Sequence, residues 1–287
     1  MTPPTILVTG ARGQIGYELT RLLPEHGRVT ALDREQLDLA NADAIRSTIR
    51  SVRPRIVVNA AAYTAVDRAE QERELAYAVN AHAPGIIAEE VKRLDAILVH
   101  FSTDYVFDGH ASRPYAEDAP TAPLSVYGAS KLQGERVIAG SGCASLVLRT
   151  SWVYGLRGHN FLLTIRRLAA ERDELTVVAD QFGVPNSARA LAAATARVVG
   201  CGEAYVRGRA GLYHLSGTGA ASWFDFARAI IGPVERPRLT AITTAQYPTA
   251  ARRPAYAVLA SAKFNNTFGF GLPDWRAMLS DCLSQRE

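Results

Sequence analysis

The stretch T-I-L-V-T-G-A-R-G-Q-I-G, Thr5 to Gly16, decides the fold. Its first part, T-I-L-V-T (5–9), is a short apolar run of the kind that forms a strand buried on both faces. A helical pattern follows from Gln14 to Leu23. Gly10, Gly13 and Gly16 punctuate the passage from strand to helix. Glycines there permit a tight turn, let the backbone approach a pyrophosphate, and let helix and sheet pack closely. The helix start then offers unpaired N–H groups and the positive end of a dipole to phosphate oxygens. A lone glycine motif is weak, but this one has its strand before it and its helix after it. The loop therefore predicts dinucleotide binding.

The same rhythm continues outward. Strands are predicted at R-V-T-A-L (28–32), R-I-V-V-N (55–59), A-I-L-V-H-F (96–101) and S-L-V-L-R-T (145–150). Helices are predicted from the capping residue Asn41 to about Ser51, from about Glu72 to Arg93, and through V-Y-G-A-S-K-L-Q-G (126–134). A polar, proline-rich loop covers 108–124. Strands joined by crossover helices make a parallel sheet covered on both faces. The expected class is α/β, a doubly wound, Rossmann-like parallel sheet over residues 1–150. A smaller C-terminal substrate-binding lobe is expected over 151–287, partly interleaved with the last strands of the sheet. There D-Q-F-G-V-P (180–185), P-R-L (237–239) and Y-P-T-A-A-R-R-P (247–254) read as loops. They alternate with helices near 160–172, 187–200, 222–231 and 274–284.

Composition narrows the classes. A chain of 287 residues that is 48% hydrophobic supports a large core, near the limit for a single one. Lys and Arg number 32 against 28 Asp and Glu, with no long basic run. That slight excess gives no argument for nucleic acid and suits an anionic small substrate equally well. Cys143, Cys201 and Cys282 are odd in number and form no C-x-x-C, which predicts free thiols. The six histidines lack metal-ligand spacing. No basic segment precedes an apolar run at the start, and the apolar runs are too short for a bilayer. The expectation is a cytoplasmic protein with no membrane partner.

Asp33 closes the second strand about twenty residues after the glycine loop. An acid there suits the adenosine ribose hydroxyls and favours NAD(H); the alternative is a turn or cap residue. Arg34 beside it would attract a 2′-phosphate, so both NADH and NADPH are expected to serve. N-A-A-A-Y (59–63) places Ala60, Ala61 and Ala62 after the third strand, leaving room for a flat cofactor or filling core.

Tyr127 and Lys131 stand four apart and share one helix face. Alone, such a pair is a solvated surface. After a dinucleotide loop it reads as an acid–base pair. A free phenol titrates near pH ~10, and a nearby ammonium is expected to lower that value. In reduction Tyr127 would give its proton to a carbonyl oxygen while hydride reaches carbon. In F-S-T-D-Y-V-F (101–107), after the fourth strand, Thr103 is the expected second hydroxyl; alone, S-T-D would be a turn.

Together these residues resemble the dTDP-4-dehydrorhamnose reductase family, of the extended short-chain dehydrogenase/reductase superfamily, over nearly the whole chain. The G-x-x-G-x-x-G spacing and Y-x-x-x-K are shared across that superfamily. Much more specific are R-T-S-W-V-Y-G (149–155), D-Q-F-G-V-P (180–185) and the late A-R-R-P, joined by V-N-A-A-A-Y-T-A-V-D-R-A-E (58–70) and S-T-D-Y-V-F-D-G (102–109). The resemblance implies NAD(P)H-dependent reduction of the C4 carbonyl of dTDP-6-deoxy-L-lyxo-4-hexulose to dTDP-L-rhamnose, a cell-surface polysaccharide precursor. It implies that Gly13, Gln14, Ile15, Asp33, Asp38, Leu39, Ala62, Tyr63, Thr64, Phe101, Tyr127 and Lys131 line the cofactor. It implies that Thr103, Asp104 and Trp152 contact the sugar nucleotide. A Trp offers a flat face to a deoxysugar; its alternative is a core Trp. Asn160, Gln181 and Arg253 are candidate pyrophosphate or base contacts, or structural residues.

Two other readings stay open. An epimerase or dehydratase acting on sugar nucleotides would share Tyr127 and Lys131, but Tyr105 stands where a dehydratase carries a second acid. Regulatory relatives bind nucleotide without catalysis, yet Thr103, Tyr127 and Lys131 are all intact. Some family members are dimers with Mg²⁺ held by acids between subunits. Here Glu18 occupies one such place, but Arg189 stands where another acid belongs. A guanidinium repels the ion and is expected to pair with Glu18 instead. The expectation is no metal, and a monomer or weak homodimer.

Overall fold

Six parallel strands build the main sheet of the computed structural model, which describes residues 3–233 and 237–285. They are β1 (Thr5–Thr9), β2 (Arg28–Leu32), β3 (Ile56–Asn59), β4 (Ile97–Thr103), β5 (Ala144–Thr150) and β6 (Gly211–His214). Their spatial order is β6-β5-β4-β3-β1-β2. Alternate side chains point to opposite faces. Ile6, Val8, Val58, Val99 and Leu148 pack on one side with Leu19 and Leu191, while Leu7, Val57, Leu98 and Val147 pack on the other with Ile45, Ile87 and Ile138. Both faces are therefore covered, as a sheet wound in both directions requires.

Helix α1 (Gln14–Leu22) follows the glycine loop, and α2 (Ala42–Val52) starts at Asn41, whose side chain accepts from the Asp43 and Ala44 N–H groups. Helix α3 (Ala83–Arg93) is the last section of the predicted 72–93 helix, which begins with Arg73–Tyr77 and passes through a π turn at Ala78–His82. The cause is Pro84, which lacks an N–H and whose ring crowds the carbonyl of Asn80 four residues back. Helix α4 (Val126–Ser141), capped by Ser125, carries the tyrosine and lysine.

Beyond residue 150 the chain returns to the sheet. Strand β6 adds to its edge beside β5, and the helix Ala188–Gly200 covers the face next to α1. A second core gathers Tyr154, Leu162, Ile165, Phe226, Trp275 and Met278. There the expectation of a loop at 237–239 is corrected. Arg238–Ile242 is a strand that pairs in parallel with Glu174–Val178. The preceding proline and the absence of any buried position in the strand masked it. No helix among the described residues is long and apolar enough to cross a membrane.

Candidate active site

The strand order reverses between β1 and β3, and a doubly wound sheet opens its crevice at that point, beyond the carboxyl ends of its strands. The glycine loop sits there. The Gly13 N–H donates to the Gly10 carbonyl at 2.8 Å. A Cβ on Gly16 would stand 2.0 Å from that same carbonyl, so glycine is what lets α1 begin so close to the turn. Gly13 caps α1 with no side-chain acceptor, leaving the first N–H groups of the helix, near Gln14 and Ile15, for phosphate oxygens. These residues fit a dinucleotide pyrophosphate.

Asp33 does two jobs. Its Oδ1 accepts from the Glu35 and Gln36 N–H groups at 2.9 and 3.1 Å, and its Oδ2 meets Arg12 Nε at 2.8 Å. Arg12, inside the glycine loop, is the partner that sequence reasoning missed; Arg34 is exposed. Asp38 is exposed and accepts from the Ala40 N–H, whereas Leu39 is buried in the core under α2. Ala62, Tyr63 and Thr64 form the loop after β3. Asn80 pins that loop, accepting from the Tyr63 N–H at 2.9 Å and donating to its carbonyl at 3.0 Å. The second Asn80 N–H reaches Ser130 Oγ on α4 at 3.0 Å, tying the loop to that helix.

Lys131 is buried, and its Nζ donates to the Phe101 carbonyl at 2.6 Å and lies 3.2 Å from His100 Nε2. Phe101 thus acts through its main chain while its ring is buried. Helix α4 and the S-T-D-Y segment meet closely because residue 128 is glycine: a Cβ there would stand 2.2 Å from the Tyr105 carbonyl. This contact brings Thr103 beside Tyr127. Thr103 Oγ1 donates to Asp104 Oδ1 at 3.0 Å, while Asp104 Oδ2 is buried with no partner in the protein. A buried polar atom of that kind marks a place for a ligand group. Burial pushes Asp104 up to about 7, against the pull of its Thr103 hydrogen bond.

The lowering expected for Tyr127 is not found. Burial dominates and pushes the phenol up to about 12, offset in part by Thr103. Burial also brings Lys131 down to about 8. Lys131 rests on β4 here, so its charge does not offset the desolvation of the tyrosine. Tyr105 packs edge-on to Tyr127, with centroids 5.6 Å apart. Beneath them Glu135 and Arg149 form a buried pair at 2.6 Å, and Ser102 Oγ donates to the same carboxylate.

Trp152 is half-buried, has φ +43°, and stacks on Trp223 with centroids 3.4 Å apart and planes 5° from parallel. A non-glycine residue in the left-handed region is uncommon and points to a functional constraint. Trp223, also missed from sequence, is held by its indole N–H donating to Gln181 Oε1 at 3.2 Å. The Gln181 Nε2 donates to Thr244 Oγ1. Asn160 caps the helix Phe161–Glu171 and donates to Gln14 Oε1, Gly155 O and Arg157 O, so its amide is taken up by its own chain. Arg253 makes a two-pronged pair with Asp67, at 2.7 and 3.1 Å, joining the A-R-R-P and A-V-D-R segments.

The family model described as "RmlD substrate binding domain" matches residues 4–287. A dTDP-4-dehydrorhamnose reductase of Burkholderia thailandensis is 45% identical over 97% of this chain and 97% of that one. The chain belongs to the dTDP-4-dehydrorhamnose reductase family. An Escherichia coli K12 enzyme of the same name is 42% identical over 98% of this chain and 97% of its own length. Among solved structures, a family member from Bacillus anthracis in complex with NADP superposes with a TM-score of 0.92, at 35% identity, covering 98% of this chain and 99% of that one.

Glu18 and Arg189 line one cavity of about 760 Å³, together with Arg21 and Arg157. The expected ion pair is a correction: Glu18–Arg189 is absent from the ion pairs of the described residues. No group of three or more metal-ligating side chains gathers among the described residues.

Proposed function

We infer that the chain reduces the C4 carbonyl of dTDP-4-dehydrorhamnose with NADPH or NADH, giving dTDP-L-rhamnose. The observation that supports this is the glycine turn at the carboxyl end of β1 together with Thr103, at the carboxyl end of β4, beside Tyr127 on the helix that also carries Lys131. A bound nicotinamide supplies the hydride. The residues of the chain do the rest. Tyr127, protonated at every physiological pH by virtue of its raised pKa, is the proton donor to the carbonyl oxygen. Thr103 polarises the same oxygen. Lys131 orients the cofactor, and the Thr103 hydroxyl steadies the phenolate left behind. The open Asp104 Oδ2 takes a sugar hydroxyl, and the Trp152–Trp223 stack presents an apolar wall to the deoxysugar.

Gln14, Ile15 and the glycines hold the pyrophosphate of the cofactor; Arg12, Asp33 and Asp38 face its adenosine end; Ala62, Tyr63 and Thr64 flank the bound dinucleotide. Gln181 and Asn160 act by supporting Trp223 and Gln14, and Arg253 closes the site through Asp67. Residues 1–150 form the dinucleotide-binding part and 151–287 the sugar-nucleotide part, with β6 crossing between them. The protein works in the cytoplasm as a monomer or weak homodimer. Incubating it with NADPH and the 4-keto sugar nucleotide, and identifying the product, tests the assignment. An epimerised or dehydrated sugar would overturn it.

A further inference from the structure

Four polar residues cross the sheet directly under the crevice. Thr9, Asn59 and His100 are register partners on β1, β3 and β4, and Lys131 meets His100 from α4. All four are buried, His100 completely. Nothing in the reduction itself uses the first three.

The direction of this chain of hydrogen bonds is fixed by its first members. The Ala61 N–H, which can only donate, reaches Asn59 Oδ1 at 3.2 Å, and Thr9 Oγ1 donates to the same oxygen at 2.6 Å. The amide oxygen of Asn59 is thereby identified, and its Nδ2 is the atom 3.0 Å from His100 Nδ1. Nδ1 must accept. A neutral imidazole then carries its proton on Nε2, the atom 3.2 Å from Lys131 Nζ. The ring is neutral because burial and the adjacent lysine hold its pKa well below the usual value.

A histidine kept only for packing would aim its N–H at an oxygen. This one aims it at an amine. A neutral Lys131 satisfies the geometry, donating to the Phe101 carbonyl and accepting from His100. A charged Lys131 has no lone pair, so Nε2–H and the ammonium oppose each other. We propose that His100 is a positioning residue: its Nε2–H, held in place through Asn59 and Thr9, sets the charge of Lys131 and turns the ammonium off the sheet toward the crevice. This rests on the reductase reading of Tyr127 and Lys131. The other groups facing Lys131 leave that role to His100. Tyr127 lies one turn before it and stays neutral, and Asp104 at the end of β4 is bonded to Thr103; Glu135, one turn after it and paired with Arg149 from β5, pulls the Lys131 pKa upward, against burial and opposite in sense to His100.

Two measurements test this on the intact enzyme. In the pH dependence of kcat/KM, the alkaline limb reports loss of the Lys131 proton. Replacing His100→Leu removes the opposing N–H, so that limb moves up by about half a unit or more, roughly a three-fold tighter proton. The KM for NADPH changes with it, since an ammonium no longer pushed outward serves the cofactor less well. A folded, active H100L enzyme with an unmoved limb overturns the proposal. The second measurement needs no variant. Nitrogen-15 NMR of the wild-type imidazole must show the Nε2–H tautomer, with Nδ1 bare, across neutral pH. An Nδ1–H tautomer overturns the proposal even if H100L fails to fold. Wild-type protein with no reductase activity would remove the reductase reading instead, leaving the tautomer to be judged by itself.

Discussion

Replacing Arg12→Ala should shift the enzyme's cofactor preference toward NADH. Arg12, in the glycine loop, is held by Asp33 at 2.8 Å, and its side chain is 71% exposed. Two unit charges about 5 Å apart interact by about 0.8 kcal/mol in water and about 3 kcal/mol near a protein surface. The exposure of Arg12 places its attraction for a 2′-phosphate toward the lower end, at about 1–2 kcal/mol. Since 1.4 kcal/mol is a factor of ten, kcat/KM for NADPH should fall by about 5- to 30-fold. NADH has no 2′-phosphate and should change by less than about 3-fold. The reciprocal variant, Asp33→Asn, keeps the acceptor for the Glu35 and Gln36 N–H groups while removing the negative charge, and should shift preference toward NADPH. Steady-state kinetics with each cofactor at saturating sugar nucleotide measures both. Equal losses for the two cofactors in Arg12→Ala would reduce Arg12 to a loop-shaping residue and refute the reasoning.

Other outcomes follow from the same geometry. Tyr127→Phe keeps the ring and its packing against Tyr105 but removes the acid, so kcat should fall about 10²- to 10⁴-fold with cofactor affinity unchanged in a binding titration. Trp152→Ala should raise the substrate KM by an amount worth about 1–3 kcal/mol, read from kinetics on folded protein; unchanged KM with a lowered Tm would make it a packing residue. Arg149→Met leaves Glu135 charged and buried, which should cost about 3–5 kcal/mol in denaturant unfolding. Asp104 has a folded-state pKa raised to about 7, so its contribution to stability is complete below pH ~4 and is lost as pH rises through 7. Asp104→Asn should remove that slope, and melts between pH 5 and 8 would reveal a difference on the order of 2–4 kcal/mol. Activity should survive EDTA; its loss on chelation, with recovery on adding Mg²⁺, would restore a metal role.

The sheet was legible because each strand is an apolar run set between helical patterns, and the glycine loop announces both the strand and the helix it joins. Asn41 was legible as a cap because short polar side chains satisfy the first N–H groups of a helix; Ser125 caps α4 in the same way. Strand β6, G-L-Y-H, is four residues long with two large apolar side chains, too little pattern to separate from a loop. The pairing of Arg238–Ile242 with Glu174–Val178 is a contact between segments far apart in sequence, as are His100–Lys131 and Asp33–Arg12. Local periodicity carries no information about such partners. The charge states were the least legible part. The rule that an ammonium lowers a neighbouring phenol is sound, but it assumes the two face each other, and here Lys131 spends its proton on the Phe101 carbonyl.

The most direct test of the central claim is to follow NADPH oxidation by the purified chain before and after adding dTDP-4-dehydrorhamnose, and to identify the sugar nucleotide formed. Oxidation should begin only on addition of the sugar nucleotide, one NADPH should be consumed per carbonyl reduced, and the product should be dTDP-L-rhamnose. NADPH left unoxidised in its presence, or a product that has kept its C4 carbonyl, would contradict the assignment.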